Sequence, residues 1–431
     1  MSGEFAIAVA AIIGLAVLGL PIGHAMIGGS ILYLLVSGLD MAIAAEKLMQ
    51  GLFRSYILLA IPLFIFAADL MNVGSLSDRL LAFCRALVGR FRGGLGHVNV
   101  VASLIFSGMS GSAVADAVGM GRIIINLMTR DGRYTKSYAA AITAASATIG
   151  PIIPPSIPIV LYALIANTSI GYLFLGGILP GLLIGLMLIA LNAYLARRRG
   201  FPVEAPVPAR ELPGLTLQAL PALLMPVILL AGIYGGATTP TEAAALAAAY
   251  ALLISTVLYR SITPRLLYQT ISRSARSTAS VGLLIGGALV FNYVVTVENI
   301  PNAVRVLLDA WNLDAFSFLL LVNIILLVLG CLLEGTAILL VIVPIFLPAA
   351  QAMGIDPVHF GVVVVVNIMI GLSTPPFGLL LFVTANITRA PLGAIIRDLL
   401  PFLGMLIVSL LIITYVPDVV LTVPRLFGYQ G

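Results

Sequence analysis

Charge is what this sequence has least of. Of its 431 residues only 9% are Asp, Glu, Lys or Arg, whereas 61% are hydrophobic, and the mean hydropathy is +1.15. A soluble domain carries about 25% charge, so a water-soluble globular protein is excluded. Repeated apolar stretches of about 20 residues need a bilayer to bury them. Lysine is nearly absent: Lys47 and Lys136 follow Glu46 and Thr135, so no Gly-Lys-Ser/Thr phosphate loop exists and the chain does not bind ATP in that way. His-Glu-x-x-His and Gly-x-Ser-x-Gly are missing too, which leaves an intramembrane enzyme without a motif. No filter-like repeat suggests an ion channel. Cys84 and Cys331 lie in unrelated surroundings and His24, His97 and His359 occur singly, against a disulfide framework or a metal cluster. The basic excess, 22 Lys and Arg against 17 Asp and Glu, records membrane orientation and not nucleic-acid binding.

What is present is one pattern, twice. The first copy is Ser107-Gly108-Met109-Ser110-Gly111-Ser112-Ala113 followed by Gly150-Pro151-Ile152-Ile153-Pro154-Pro155-Ser156; the second is Leu333-Glu334-Gly335-Thr336-Ala337 followed by Gly371-Leu372-Ser373-Thr374-Pro375-Pro376. Gly111 and Pro154 are 43 residues apart, Gly335 and Pro375 40. Glycine and proline at such points free backbone groups that hydrocarbon cannot satisfy, so broken helices persist at membrane depth only against protein or a wet cavity. Paired interruptions in corresponding halves point to the binding site of a secondary transporter.

Apolar segments fall near 5–20, 23–39, 56–73, 94–128, 135–166 and 172–196, then near 218–235, 240–258, 278–296, 315–352, 357–388 and 400–416. The start of the chain lacks a basic n-region, which predicts a retained first helix. Arg197-Arg198-Arg199 and the Pro-rich stretch to Pro213 form a linker, and residues 77–92 and 263–277 predict interfacial helices on the cytoplasmic surface. With the N-terminus outside and both Gly-Ser/Thr-Ala segments folded as re-entrant hairpins, seventeen of the 22 basic residues fall inside and four outside, with Arg122 in a hairpin. That bias supports the topology. The fold expected is all-α and polytopic, with about 11 transmembrane segments plus two hairpins in two inverted repeats. Its parts are first-repeat scaffold and arm helices (1–93), first transport part (94–168), connecting helix and linker (169–214), second scaffold and arms (215–314), second transport part (315–390) and C-terminal helix (391–431).

Helix ends at each tip and break leave carbonyls suited to a small cation and amides that favour an anion. Two pseudo-symmetric sodium sites are expected: Ser110 and Gly111, with Ser112, against Gly150, Ile153 and Pro154, and Gly335 and Thr336 against Gly371, Thr374 and Pro375. Ser112, Ser156, Glu334, Thr336 and Ser373 are the candidate substrate contacts, although any single Ser or Thr also satisfies itself on a carbonyl one turn back. Among the intramembrane acids, Thr239-Pro240-Thr241-Glu242 reads as a capping box. Asp69 reads as a helix-helix or interfacial contact, and Asp116 as either structural or ion-coupling. Glu334 abuts a tip, where charge is costly unless it faces a cavity or partner. Arg122, roughly 15 Å beyond the first tip, reads as snorkelling toward the cytoplasm ahead of gripping a carboxylate.

With these residues the chain resembles the large membrane subunit (DctM type) of TRAP transporters, the tripartite ATP-independent periplasmic family. Residues 107–116 (SGMSGSAVAD), 148–158 (TIGPIIPPSIP), 237–245 (ATTPTEAAA), 332–348 (LLEGTAILLVIVPIFLP) and 371–377 (GLSTPPF) carry the resemblance, and with their spacing they cover nearly the whole chain. The resemblance implies an elevator-type transport domain moving past a scaffold in the bacterial inner membrane, and sodium coupling. It also implies import of a carboxylate-type organic acid delivered by a periplasmic substrate-binding protein, and a separate small membrane subunit. The family's acidic residue at the second tip falls on Glu334, where many relatives have Asp. The alternative is a stand-alone sodium-coupled anion symporter of related fold.

Overall fold

The computed structural model describes residues 2–54, 56–73 and 76–431. Helices account for its architecture: among the described residues the only bridge of β type joins Arg92 to Val203. Seven helices there are long and apolar enough to cross a membrane alone, the longest being Ile170–Arg199 and Pro264–Val297. This is a polytopic membrane protein.

The shorter apolar helices stop where the sequence inserts its breaks. In the first repeat, Gly94–Ser110 turns at Gly111 into Ala113–Asp116, a π turn over Ala117–Gly121 and Arg122–Thr129; in the second, Ala315–Leu332 turns at Leu333 and Glu334 into Gly335–Ala352. The next helix of each repeat is split, Lys136–Ala147 from Ile157–Ala166 and Pro357–Gly371 from Leu379–Thr388. Both splits hold a cis Pro-Pro bond, Pro154-Pro155 and Pro375-Pro376. Side chains cap the starts: Thr135 accepts from the Tyr138 amide at 3.2 Å, and Asp314 from Ser317 at 3.0 Å. Thr239 and Glu242 form the expected capping box.

The repeats interlock. In each, the ingoing limb of the hairpin packs on the first half of the broken helix, Gly94–Ser110 on Lys136–Ala147 and Ala315–Leu332 on Pro357–Gly371. The second half of each broken helix instead packs on the other repeat's returning limb, Ile157–Ala166 on Gly335–Ala352 and Leu379–Thr388 on residues 113–129. Such exchanged contacts are what a two-fold relation between the halves produces, and they set both tips and both breaks side by side.

Around this core, Ala60–Val73 packs on Pro240–Leu253, and Pro264–Val297 packs on Ile22–Val36. Asp69 is the helix contact expected, accepting from Ser274 Oγ at 2.6 Å. One expectation changes. Residues 263–277 are not a separate interfacial helix but the first part of the 34-residue helix Pro264–Val297, because no glycine or proline interrupts the chain between Pro264 and Gly282. At 1.5 Å per residue it is roughly 51 Å long, against about 30 Å of hydrocarbon, so it extends well beyond the apolar slab. A short amphipathic helix does precede each hairpin, Leu76–Val88 and Ile300–Ala310.

At the other end of this long helix, Glu298 takes hydrogen bonds from the Ser2 hydroxyl, from the Ser2 amide at 3.1 Å and from the Tyr33 hydroxyl at 2.8 Å. Those bonds, the Ser2 hydroxyl's first, hold its pKa below the usual 4.5. A lowered carboxyl pKa means stabilisation that is complete above the unfolded value and fades as pH falls through the folded one. Hydrogen-exchange protection of Gly3–Val17 should therefore drop at pH about 3.5 relative to pH 7, and Glu298→Gln should remove that pH dependence.

Candidate functional site

At the first tip Gly111 adopts φ +58° and Ser112 turns extended, accepting from the Ala115 amide at 3.4 Å. Glycine is required here twice over: the backbone is left-handed, and a Cβ would lie 2.5 Å from the Pro155 carbonyl oxygen. The tip is therefore seated on its own break. Gly150 faces it from the other side, where a Cβ would stand 3.4 Å from the Ser112 carbonyl oxygen. Ser110 Oγ is buried and has no hydrogen-bond partner. The Pro154 carbonyl oxygen would lie 3.7 Å from a Cβ on Gly108, while the Ile153 side chain turns away to fill the space over Gly181.

The second tip is built differently. Leu333 is extended and Glu334 caps the next helix, accepting from the Ala337 amide at 3.1 Å; the Thr336 hydroxyl donates to the same carboxylate. A Cβ on Gly335 would meet the Ile368 side chain at 2.7 Å, and Gly371 backs directly onto Gly330, where a Cβ would stand 2.6 Å from the other Cα. Thr374 and Ser373 donate to the Ile370 carbonyl, each at 2.9 Å. Pro375 is partly exposed at the break. Ser156, just after the first-repeat break, donates to the Pro151 carbonyl and accepts from the Ile159 amide at 3.2 Å.

One cavity of about 170 Å³ joins the tips. Gly111 and Ser112 line it from the first repeat, Glu334, Gly335 and Thr336 from the second, and Val281 from the long helix Pro264–Val297. Ser156 and Ser373 are fully buried, with their hydroxyls committed to carbonyls, and do not line it. Neither do Ser110, Gly150, Ile153, Pro154, Gly371, Thr374 and Pro375. Two other cavities, about 430 and 380 Å³, are apolar apart from Tyr56 and Thr278, and offer a charged ligand no partner. The small cavity carries a carboxylate, two hydroxyls and helix N-termini.

A family model described as "Tripartite ATP-independent periplasmic transporter, DctM component" matches residues 9–419. The chain belongs to this family. It is 40% identical over 419 residues to the sialic acid TRAP transporter large permease protein of Vibrio cholerae, which covers 97% of this chain and 98% of that one. To the C4-dicarboxylate TRAP transporter large permease protein of Pseudomonas aeruginosa it is 41% identical, over 93% of this chain and 94% of that one. To the 2,3-diketo-L-gulonate TRAP transporter large permease protein of Escherichia coli it is 34% identical, over 94% and 95%. The crystal structure of the Alcanivorax borkumensis YdaH transporter matches with a TM-score of 0.61 at 15% identity over 86% of each chain, a likeness of fold.

Sequence reasoning missed the polar pins that hold each hairpin of this DctM-type chain. Asn99 donates to Thr143 Oγ1 at 2.7 Å and accepts from Ser146 at 3.0 Å; Asn367 donates to Asn323 Oδ1 at 2.7 Å, and Asn323 to Thr414 at 3.0 Å. The signal was the repeat itself. Asn99 stands 12 residues before Gly111 and Asn323 12 before Gly335; Ser146 stands 8 before Pro154 and Asn367 8 before Pro375. Losing one partner leaves a buried amide unsatisfied, at a cost of roughly 1–3 kcal/mol. Asn367→Leu should lower the thermal midpoint of the purified protein, as should Ser146→Ala to a lesser degree.

Asp116 is buried in the first returning limb, with no hydrogen bond to either carboxylate oxygen; the neighbouring Ser103 hydroxyl is directed to Ser146 at 3.1 Å instead. Arg122 is exposed, one residue beyond the π turn. No group of three His, Cys, Asp or Glu suited to a transition metal occurs among the described residues.

Proposed function

We propose that this chain is the membrane-embedded subunit of a sodium-coupled importer for a carboxylate-bearing organic acid. The acid is delivered by a periplasmic substrate-binding protein, and a small membrane subunit completes the transporter in the bacterial inner membrane, with the N-terminus of this chain periplasmic. The observation that carries the reading is a cavity to which hairpin tips from both repeats contribute. Relatives named for sialic acid, C4-dicarboxylates and 2,3-diketo-L-gulonate, all carboxylates, support this substrate class, while one named for isethionate, a sulfonate, shows that relatives also take other organic anions.

Sodium suits the tips. A hard cation prefers oxygen ligands, and interrupted helices in transporters offer them as freed carbonyls. At the first tip Ser110 Oγ is buried without a partner, and the Ser112 and Pro155 carbonyl oxygens crowd the glycines beside it. A cation between tip and break would take up these groups. At the second tip Thr336 and Glu334 already form a pair, and Thr374 is turned to Ile370. A cation there would draw mainly on backbone oxygen around Gly335, Gly371 and Pro375.

The substrate carboxylate would meet the hydroxyls of Ser112 and Thr336 and the helix N-termini behind them. With ion and substrate charges offsetting each other, the block of hairpins and broken helices moves past the outer helices as an elevator, Leu76–Val88 and Ile300–Ala310 acting as its arms. An unloaded site leaves its polar groups uncompensated, which opposes the crossing.

The test is uptake into proteoliposomes holding this chain with its small partner, with and without an inward sodium gradient and the binding protein, across a carboxylate panel. Sodium-driven accumulation that needs the binding protein supports the reading. Accumulation without that protein favours a stand-alone symporter, and sodium-independent accumulation rejects the coupling ion.

A further inference from the structure

A second built site lies away from the hairpin tips, at the basic end of the spanning helix Ile170–Arg199. A cleft of about 320 Å³ there is walled by Val88, Phe91, Ile189 and Ala193 and rimmed by Arg92, His97 and Arg197. No acidic side chain lines it. Among the described residues neither Arg92 nor Arg197 is in an ion pair. His97 is only 5% exposed, stands edge-on to Phe91 with ring centres 6.3 Å apart, and has a buried Nδ1 with no hydrogen-bond partner. Two guanidiniums outside any ion pair, on a rim with no acidic side chain, give the cleft a positive charge that a bound anion would offset.

The rim is held in place from behind. Gly93 donates to the Pro202 carbonyl at 3.1 Å, and Arg92 bridges to Val203. Asn192 donates to the Gly93 carbonyl at 3.2 Å and accepts from the Tyr138 hydroxyl at 2.7 Å. Arg92 and the last turns of the spanning helix are thereby fixed to each other.

The wall continues into the membrane. Leu182, Leu186, Ile189, Ala193 and Arg197 follow one another at spacings of three and four residues and so share one helix face. Leu182 and Leu186 are 43% and 63% exposed. From Leu182 to Ala193 the helix rises roughly 16 Å, about half of the hydrocarbon thickness of ~30 Å and so the depth of one leaflet. An apolar stripe one leaflet deep, ending in two arginines outside any ion pair, is complementary in shape and in charge to an anionic phospholipid.

We propose that this cleft binds one anionic phospholipid. Arg92 and Arg197 hold its phosphate, one acyl chain lies along Leu182, Leu186, Ile189 and Ala193, and His97 Nδ1 bonds to the polar region where chain and headgroup join. The lipid belongs to the basic-side leaflet and bridges the end of the arm segment, the entry of the first hairpin and the helix after the first broken one.

Native mass spectrometry of the full-length purified protein, offered equal amounts of phosphatidylglycerol and phosphatidylcholine with identical chains, tests this. Two arginines give a preference of about thirtyfold for the anionic lipid. Arg92→Gln with Arg197→Gln should bring that preference close to parity, whereas Arg198→Gln should leave it unchanged. Ala193→Trp, which fills the wall but keeps both arginines, should reduce retention of both lipids. The proposal is overturned if the unaltered protein shows no preference, if the double variant keeps it, or if Ala193→Trp retains lipid normally. Displacement of the lipid by millimolar inorganic phosphate would overturn it also, because the arginines would then be reading phosphate without the chain.

Discussion

Gly111→Val is expected to abolish uptake and to destabilise the protein by roughly 2 kcal/mol or more. Two independent effects add. The residue sits at φ +58°, where a β-branched side chain clashes with its own backbone, and its Cβ would stand 2.5 Å from the Pro155 carbonyl oxygen, a backbone atom that cannot swing aside. Gly132→Ala separates the two. That glycine also has a positive φ, +67°, but nothing lies within 4 Å of an added Cβ. It should cost only about 1 kcal/mol and leave uptake intact. Gly335→Val should fall between, since what it meets at 2.7 Å is the Ile368 side chain, which can change rotamer. Thermal midpoints and proteoliposome uptake of the three variants give the order directly. Equal uptake by Gly111→Val and Gly132→Ala would remove the first tip from the transport site.

The breaks were legible because their physics is local. Glycines such as Gly111, Gly150 and Gly371 weaken a helix and the two Pro-Pro pairs interrupt one, and the Thr239–Glu242 box announces a helix start from four residues alone. What escaped depends on partners remote in sequence. Arg265, Arg273 and Arg276 give residues 263–277 a basic face, which reads as interfacial; a helix does not stop because its surroundings change, and nothing in that stretch forces it to. The hydroxyls show the same limit from the other side. Ser112, Ser156, Thr336 and Ser373 are equivalent in type and in nearness to a break. Only the turn of the chain decides that Ser112 and Thr336 line the cavity while Ser156 and Ser373 satisfy carbonyls of their own segments. The Asn99 and Asn323 pins were visible only as a matched spacing, which carries no meaning until both hairpins are seen packed on their broken helices.

Glu334 separates two roles that its position superimposes. Its carboxylate caps the helix Gly335–Ala352 by accepting from the Ala337 amide, and it also supplies the acidic group in the tip cavity. Glutamine keeps an oxygen that can accept from the same amide but carries no charge. Glu334→Gln should therefore leave the thermal midpoint nearly unchanged while lowering uptake by at least about tenfold, the equivalent of one 1.4 kcal/mol interaction. Glu334→Ala loses cap and charge together, so it should fail in uptake and also lose about 1 kcal/mol of stability. Aspartate is a good capping residue and keeps the charge, so Glu334→Asp should restore both properties in large part. The three results discriminate between mechanisms. If glutamine transports as well as glutamate, the residue only holds the hairpin closed, and the charge balance of the loaded site must come from backbone groups and hydroxyls alone. If aspartate fails where glutamate works, the reach of the longer side chain to Thr336 is what the tip requires, and charge at that place is not sufficient.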